Sequence, residues 1–129
     1  MKAMILAAGY GKRMMPLTEN MPKPLLKIGN ESLIERNINA LLAAGFNDII
    51  VNVSYLGSMI KKHVLETFPN VNISFSEEEI PLGTGGGVLN AIGLLGTDPF
   101  LLINADIYHQ INLKDIKQDV DIAHLVGVE

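Results

Sequence analysis

Lys2 to Ala8 is a continuous apolar run after its first residue, Ala3-Met4-Ile5-Leu6-Ala7-Ala8, and it ends directly in Gly9-Tyr10-Gly11. Apolar residues at successive rather than alternate positions are the pattern of a strand buried on both faces. The rest of the chain continues that theme. Ser32-Leu33-Ile34-Glu35 has the form of a capping box, Ile34, Ile38, Leu41 and Leu42 recur at helical spacing, and Gly45 supplies a stop. The pattern predicts strands over Asp48–Val53, Val71–Ser76, Phe100–Asn104 and Asp121–Val126. It predicts further helices over Ser58–Phe68, with Ile60, Val64 and Phe68 on one face, and over Val88–Leu95 ahead of Gly96. Strands alternating with helices mean βαβ units and a mostly parallel sheet, whose ligands bind at the carboxyl ends of the strands. Gly9–Arg13 and Asn104–Asp106 both fall just past strand ends.

Composition narrows the function classes. The chain has 129 residues and no cysteine, which removes disulfide frameworks, cysteine zinc sites and thiol catalysis. Its formal net charge of −4 argues against a general nucleic-acid binder. The charge is unevenly placed. Residues 1–30 carry five basic groups, Lys2, Lys12, Arg13, Lys23 and Lys27, against Glu19 alone, whereas residues 31–129 carry five basic and thirteen acidic groups. A small anionic ligand near the N-terminus accounts for that split better than a long polyanion does. The N-terminal apolar run is too short, and too soon followed by Lys12-Arg13, to act as a signal peptide. Ile80–Thr97 is uncharged over eighteen residues, but Pro81 and six glycines make it unlike a membrane span. The expectation is a cytoplasmic chain, with no membrane partner, ending straight after an apolar strand as the front part of something longer.

Three segments could carry chemistry. Gly9-Tyr10-Gly11-Lys12-Arg13, with Lys23 held between Pro22 and Pro24, would give backbone N–H groups and positive charge to a polyphosphate. Neither common glycine motif fits, since Met14 stands where a dinucleotide fingerprint needs its third glycine, and a Walker ending is absent. Asp106 in Asn104-Ala105-Asp106 is a carboxylate beside that cradle and suits Mg2+, though an ordinary loop carboxylate would look the same. Pro81-Leu82-Gly83-Thr84-Gly85-Gly86-Gly87 leads into a helix, where close approach of a flat ligand, or simple flexibility, would explain the glycines. Glu77-Glu78-Glu79 reads as a solvated acidic turn. His63 reads as solvent-exposed and His124 as a core or edge residue. His109, three residues past Asp106, is placed for a pocket role, but no histidine pair has metal-ligand spacing.

Taken together, Leu6-Ala7-Ala8-Gly9-Tyr10-Gly11-Lys12-Arg13-Met14-Met15-Pro16-Leu17-Thr18 with Pro22-Lys23-Pro24 resembles the signature of the sugar-1-phosphate nucleotidyltransferases. The later Pro81–Gly87 and Pro99–Asp106 segments resemble the family's matching motifs. The resemblance covers essentially the whole chain, as the N-terminal nucleotide-binding portion, residues 1–129, of a single domain. It implies a Rossmann-like three-layer α/β fold with a mostly parallel sheet, truncated at the C-terminus. It also implies transfer of a nucleotidyl group from a nucleoside triphosphate to a sugar 1-phosphate, with Mg2+ as cofactor.

Arg13, Lys23 and Asp106 would be the catalytic residues. Ala8, Gly9, Gly11, Lys12, Arg13, Lys23, Gly83, Thr84, Gly85 and Asn104 would bind nucleotide, and Asp106 would also hold the metal. Uridylyltransferases acting on N-acetylmuramate 1-phosphate are the branch most resembled, which implies UTP; mannose-1-phosphate guanylyltransferases come next. Ala105 departs from the family's usual glycine, and the second metal-binding aspartate and most sugar contacts are expected beyond Glu129. The isolated chain is therefore expected to bind nucleotide poorly and to turn over little. A non-catalytic nucleotide or nucleotide-sugar module and a dinucleotide-dependent oxidoreductase stand as the other readings, and a homo-oligomer is compatible with all three.

Overall fold

The computed structural model of the chain describes residues 1–9 and 20–105. Gly11, Lys12, Arg13, Asp106, His109, His124 and the strand predicted over Asp121–Val126 lie outside the described residues. In chain order the elements are β1 (Lys2–Leu6), a 3-10 turn (Lys23–Leu25), β2 (Lys27–Ile28), β3 (Glu31–Ser32), α1 (Leu33–Ala43), β4 (Asp48–Val53), α2 (Gly57–Thr67), β5 (Asn72–Glu77), α3 (Gly83–Asn90), α4 (Ile92–Leu95) and β6 (Phe100–Asn104). Four strands form one sheet in the order β5-β4-β1-β6, every neighbouring pair parallel.

The double-sided burial expected of β1 is what the packing shows. Ala3, Ile5 and Ala7 join a core with Ile34, Ile38 and Leu41 of α1, Ile60 and Val64 of α2, and Ile49, Val51 and Val53 of β4. Met4 turns to the opposite face, where Ile50, Ala91 and Leu95 form a smaller cluster with Leu6, Val88 and Phe100 against it. The sheet is thus sandwiched between α1–α2 and α3–α4, giving the three-layer, parallel α/β fold. The apolar run supplies β1 because a strand that meets helices on both faces gains burial from every side chain.

Local chemistry sets the helix ends. Ser32 Oγ accepts from the Glu35 amide at 3.1 Å, closing the N-terminus of α1 as the capping box predicts. Gly45, at φ 91°, takes the left-handed conformation that stops the helix.

Several boundaries differ from expectation. β1 stops at Leu6, because the Ala7 and Ala8 amides leave the ladder for a side chain of β4. α2 and β5 each sit about one residue off their predicted spans. The hairpin of β2 and β3, turning through Gly29-Asn30, was not expected, since two-residue strands are too short to show periodicity. The helix expected over Val88–Leu95 begins instead at Gly83 and breaks at Ala91, whose φ and ψ of −95° and 2° separate α3 from α4.

Candidate active site

Strand order places the site. Moving out from β1, the chain goes first to β4 and β5 on one side and later to β6 on the other. The two directions part between β1 and β6, the kind of crevice in which open parallel sheets bind ligands. Leu6 pairs with Asn104 across this divide and with Asn52 on the other side, and Asn52 pairs with Ser76. Ser76, Asn52, Leu6 and Asn104 therefore form a row at the carboxyl edge, with Ala8-Gly9 and Ala105 immediately beyond it.

Each bank of the crevice is fastened by a buried asparagine. Asn52, 2% exposed, accepts from the Ala7 amide at 2.6 Å and the Ala8 amide at 3.2 Å through Oδ1. It fixes the direction in which the glycine segment leaves the sheet. The Ala8 N–H is thereby committed, so a ligand contact at Ala8 would use its carbonyl or methyl; Gly9 is exposed. Asn37, 3% exposed on α1, donates from Nδ2 to the Ala105 carbonyl at 3.1 Å, while the Ala105 amide donates to the Leu6 carbonyl at 3.0 Å. Ala105 is fully buried within the larger core, and its backbone sets the point from which Asp106 follows. Asn104 is exposed at the edge, as a ligand contact requires.

Lys23 stands in the 3-10 turn. Leu25 donates to the Pro22 carbonyl at 2.9 Å, Leu26 to the Lys23 carbonyl at 3.0 Å, and Leu33 at the start of α1 to the Leu26 carbonyl at 2.9 Å. With Pro24 buried, the backbone carrying Lys23 is anchored against α1. The two flanking prolines are the sequence signal for that stiffness.

The glycine-rich segment is not a loop. Gly83, Thr84, Gly85, Gly86 and Gly87 form the first turns of α3. Gly87 explains part of the composition: a Cβ there would lie 2.7 Å from Asn52 Nδ2 and 3.2 Å from Glu78 Oε2. Gly85, by contrast, faces open space and is exposed, so it can admit a ligand.

Two sequence readings are corrected here. Glu78 is not part of a solvated acidic turn: it is 7% exposed, accepting from Asn52 Nδ2 at 2.9 Å and from the Leu82 amide at 3.0 Å. Glu77 and Glu79 do remain exposed. The alternation of β5, continued one residue past its end, turns Glu78 inward. His63 is not a free surface residue either. Its Nε2 lies 2.8 Å from Glu35 Oε1 and 3.1 Å from Ser32 Oγ, tying α2 to the capped start of α1. One nitrogen meets both groups, so the trio is a cap and not a hydrolytic relay, which needs the two ring nitrogens to serve different partners.

Asn52, Glu78 and Asn37, which fasten the backbone around this crevice, were not singled out from the sequence for that role. A polar residue inside Ile49-Ile50-Val51-Asn52-Val53 was the available signal, as was Asn37 on the apolar face of α1.

Comparison with known proteins agrees with this geometry. Residues 2–124 match the family model described as Nucleotidyl transferase. The N-acetylmuramate alpha-1-phosphate uridylyltransferase of Neisseria meningitidis serogroup B is 44% identical over 114 residues, covering 87% of this chain and 49% of the relative. The mannose-1-phosphate guanyltransferase of Schizosaccharomyces pombe is 41% identical over 122 residues, covering 90% and 33%. Among solved structures, HddC from Yersinia pseudotuberculosis complexed with GMP-PN superposes with a TM-score of 0.78 at 32% identity, over 88% of this chain and 51% of that one. The chain thus belongs to the nucleotidyl transferase family, and its relatives include sugar-1-phosphate nucleotidyltransferases. It spans about half the length of the first of these curated relatives and a third of the second.

Proposed function

We propose that the chain is the nucleotide-binding portion of a sugar-1-phosphate nucleotidyltransferase that takes UTP and, in the complete enzyme, N-acetylmuramate 1-phosphate. The observation that carries this reading is the meeting of Ala8-Gly9 and Asn104-Ala105 across the β1–β6 crevice, where the sheet changes direction. In the reaction, an oxygen of the sugar 1-phosphate bonds to the α-phosphorus. The bond from that phosphorus to the oxygen bridging it to the β-phosphorus breaks, and pyrophosphate leaves with the electron pair. Such transfers depend on positioning and on neutralising charge more than on covalent help from the protein.

Gly9 and Gly11 let the backbone approach the phosphates. Lys12 and Arg13 hold the β- and γ-phosphates, and Lys23, on its anchored turn, meets the α-phosphate as negative charge builds. Asn104 positions the nucleotide, while Gly83, Thr84 and Gly85 lie against the base. Among the described residues no cluster of three ligating side chains could hold a metal by itself. Mg2+ needs only one or two carboxylates when phosphates supply other oxygens, so the carboxylate of Asp106 would suffice to hold it. The ion would supply charge neutralisation on the triphosphate. Among the described residues no helix is long and apolar enough to cross a membrane.

Calorimetric titration of the chain with UTP, GTP, dTTP, CTP, ATP and NADH, with and without Mg2+, tests the reading. UTP is expected to bind tightest, with affinity raised by Mg2+ and that gain lost in Asp106→Ala. Preference for GTP would favour the guanylyl reading, which the fission-yeast relative and the GMP-PN complex support. Binding of NADH alone, or of none of these ligands, would overturn the proposal.

A further inference from the structure

Asn52, in the row at the carboxyl edge of the sheet, and Glu78, just past β5, are both buried, yet they join the two regions to which the proposed function assigns the phosphates and the base. Asn52 Oδ1 takes the Ala7 and Ala8 amides at 2.6 and 3.2 Å, and its Nδ2 donates to Glu78 Oε2 at 2.9 Å. Glu78 Oε1 takes the amide of Leu82, the residue before α3, at 3.0 Å. The Glu78 backbone amide in turn donates to the Val53 carbonyl at 2.9 Å, so the residue is held at its main chain as well as at its carboxylate. A carboxylate only 7% exposed is costly to bury, and burial is sustained when charge-assisted hydrogen bonds satisfy it. Gly87 packs so tightly over the pair that any Cβ would collide with Asn52 Nδ2.

We infer that Asn52 and Glu78 are a positioning pair that keeps the start of the glycine segment and the start of α3 in one fixed relation. The inference rests on the nucleotide-binding reading of those two regions. A triphosphate must meet the glycine segment while its base meets the start of α3, so the two must be spaced before it arrives. Preorganisation of this kind raises affinity by removing an ordering cost at the moment of binding. The polarity of the relay is strict. An amide accepts on one side and donates on the other, and only an acceptor pair at position 78 serves both Asn52 and Leu82.

That strictness gives the test. E78Q retains one acceptor oxygen where two are needed, and N52D sets two carboxylates against each other. The double variant N52D/E78Q restores every bond at nearly unchanged shape, with donor and acceptor exchanged only between positions 52 and 78. Amide exchange at Ala7, Ala8 and Leu82 is measured by NMR in the wild-type chain and the three variants, together with the Kd for UTP in the presence of Mg2+. Each single variant is expected to speed exchange at these amides and to weaken UTP by about tenfold, and the double variant to recover most of both.

Single variants that leave exchange unchanged, or a double variant no better than their sum, would overturn the pairing. Restored exchange without any effect on UTP affinity would make the pair purely structural and overturn the positioning role. If a single variant does not fold, a folded double variant with wild-type protection supports the pair, and an unfolded one overturns it. A wild-type chain that binds no nucleotide would defeat the functional reading itself, an outcome distinct from variants that bind as wild type does.

Discussion

Gly85 and Gly87 stand two residues apart in the same helix and have opposite reasons for lacking a side chain. At Gly87 an added methyl would sit 2.7 Å from Asn52 Nδ2, so Gly87→Ala must displace a buried, hydrogen-bonded group. Overpacking of that kind costs about 1–3 kcal/mol. At Gly85 nothing lies within 4 Å of the same methyl, and alanine is favoured over glycine in a helix by up to about 1 kcal/mol. Urea denaturation is expected to lower the midpoint for Gly87→Ala and to leave that of Gly85→Ala unchanged or raised.

The sequence could not separate these two glycines, because both sit in one uninterrupted run and only the neighbours brought by β4 and β5 distinguish them. Glu78 was hidden for the same reason: three consecutive glutamates read alike until the pleat of β5 turns the middle one inward. Asn52 carried more warning, as a polar residue in an otherwise apolar strand needs a partner.

The elements that were legible are those whose signal is periodic and long. β1, α1, β4, α2 and β6 follow directly from apolar runs, helical spacing and caps, and together they fix the parallel sheet and the crevice at its edge. The β2–β3 hairpin and the start of α3 were not legible, because one is too short for periodicity and the other is built of residues that disfavour helices.

The N-terminus of α1 shows how one cap serves two elements. Ser32 Oγ accepts the Glu35 amide at 3.1 Å and also lies 3.1 Å from His63 Nε2 on α2. Removing a cap costs about 1 kcal/mol in helix stability, and here it would also strip a partner from His63. Ser32→Ala is therefore expected to lose at least about 1 kcal/mol in denaturant unfolding. A loss indistinguishable from zero would mean that neither bond matters.

At the scale of the whole molecule, the topology marks one edge of the sheet, and the charge is divided unevenly along the chain. The first thirty residues carry the excess positive charge; among the described ones, Lys23 stands on the turn anchored against α1, whereas Lys2 lies at the opposite edge of the sheet, 3.9 Å from Asp48. The acidic remainder would repel a polyanion approaching from elsewhere. Affinity for a triphosphate is accordingly expected to fall as ionic strength rises, since exposed charges beyond about 10 Å are screened at 0.1 M salt. Titrations of UTP between low and physiological salt would check this, and a flat response would remove long-range attraction from the explanation.

The family relationship was readable from the combined motifs, more than from any single glycine pair. The roles of Arg13, Lys12, Gly11 and Asp106 rest on that relationship and on their positions in the chain. The most direct test of the site is an NMR titration of the 15N-labelled chain with UTP and Mg2+, following backbone amides. Perturbations are expected to cluster at Gly9, Lys23, Gly83–Gly85 and Asn104, around the β1–β6 crevice. Saturable binding whose perturbations fall instead on the opposite edge of the sheet, around Lys2, Asp48 and Asn72, would contradict a nucleotide site at this crevice.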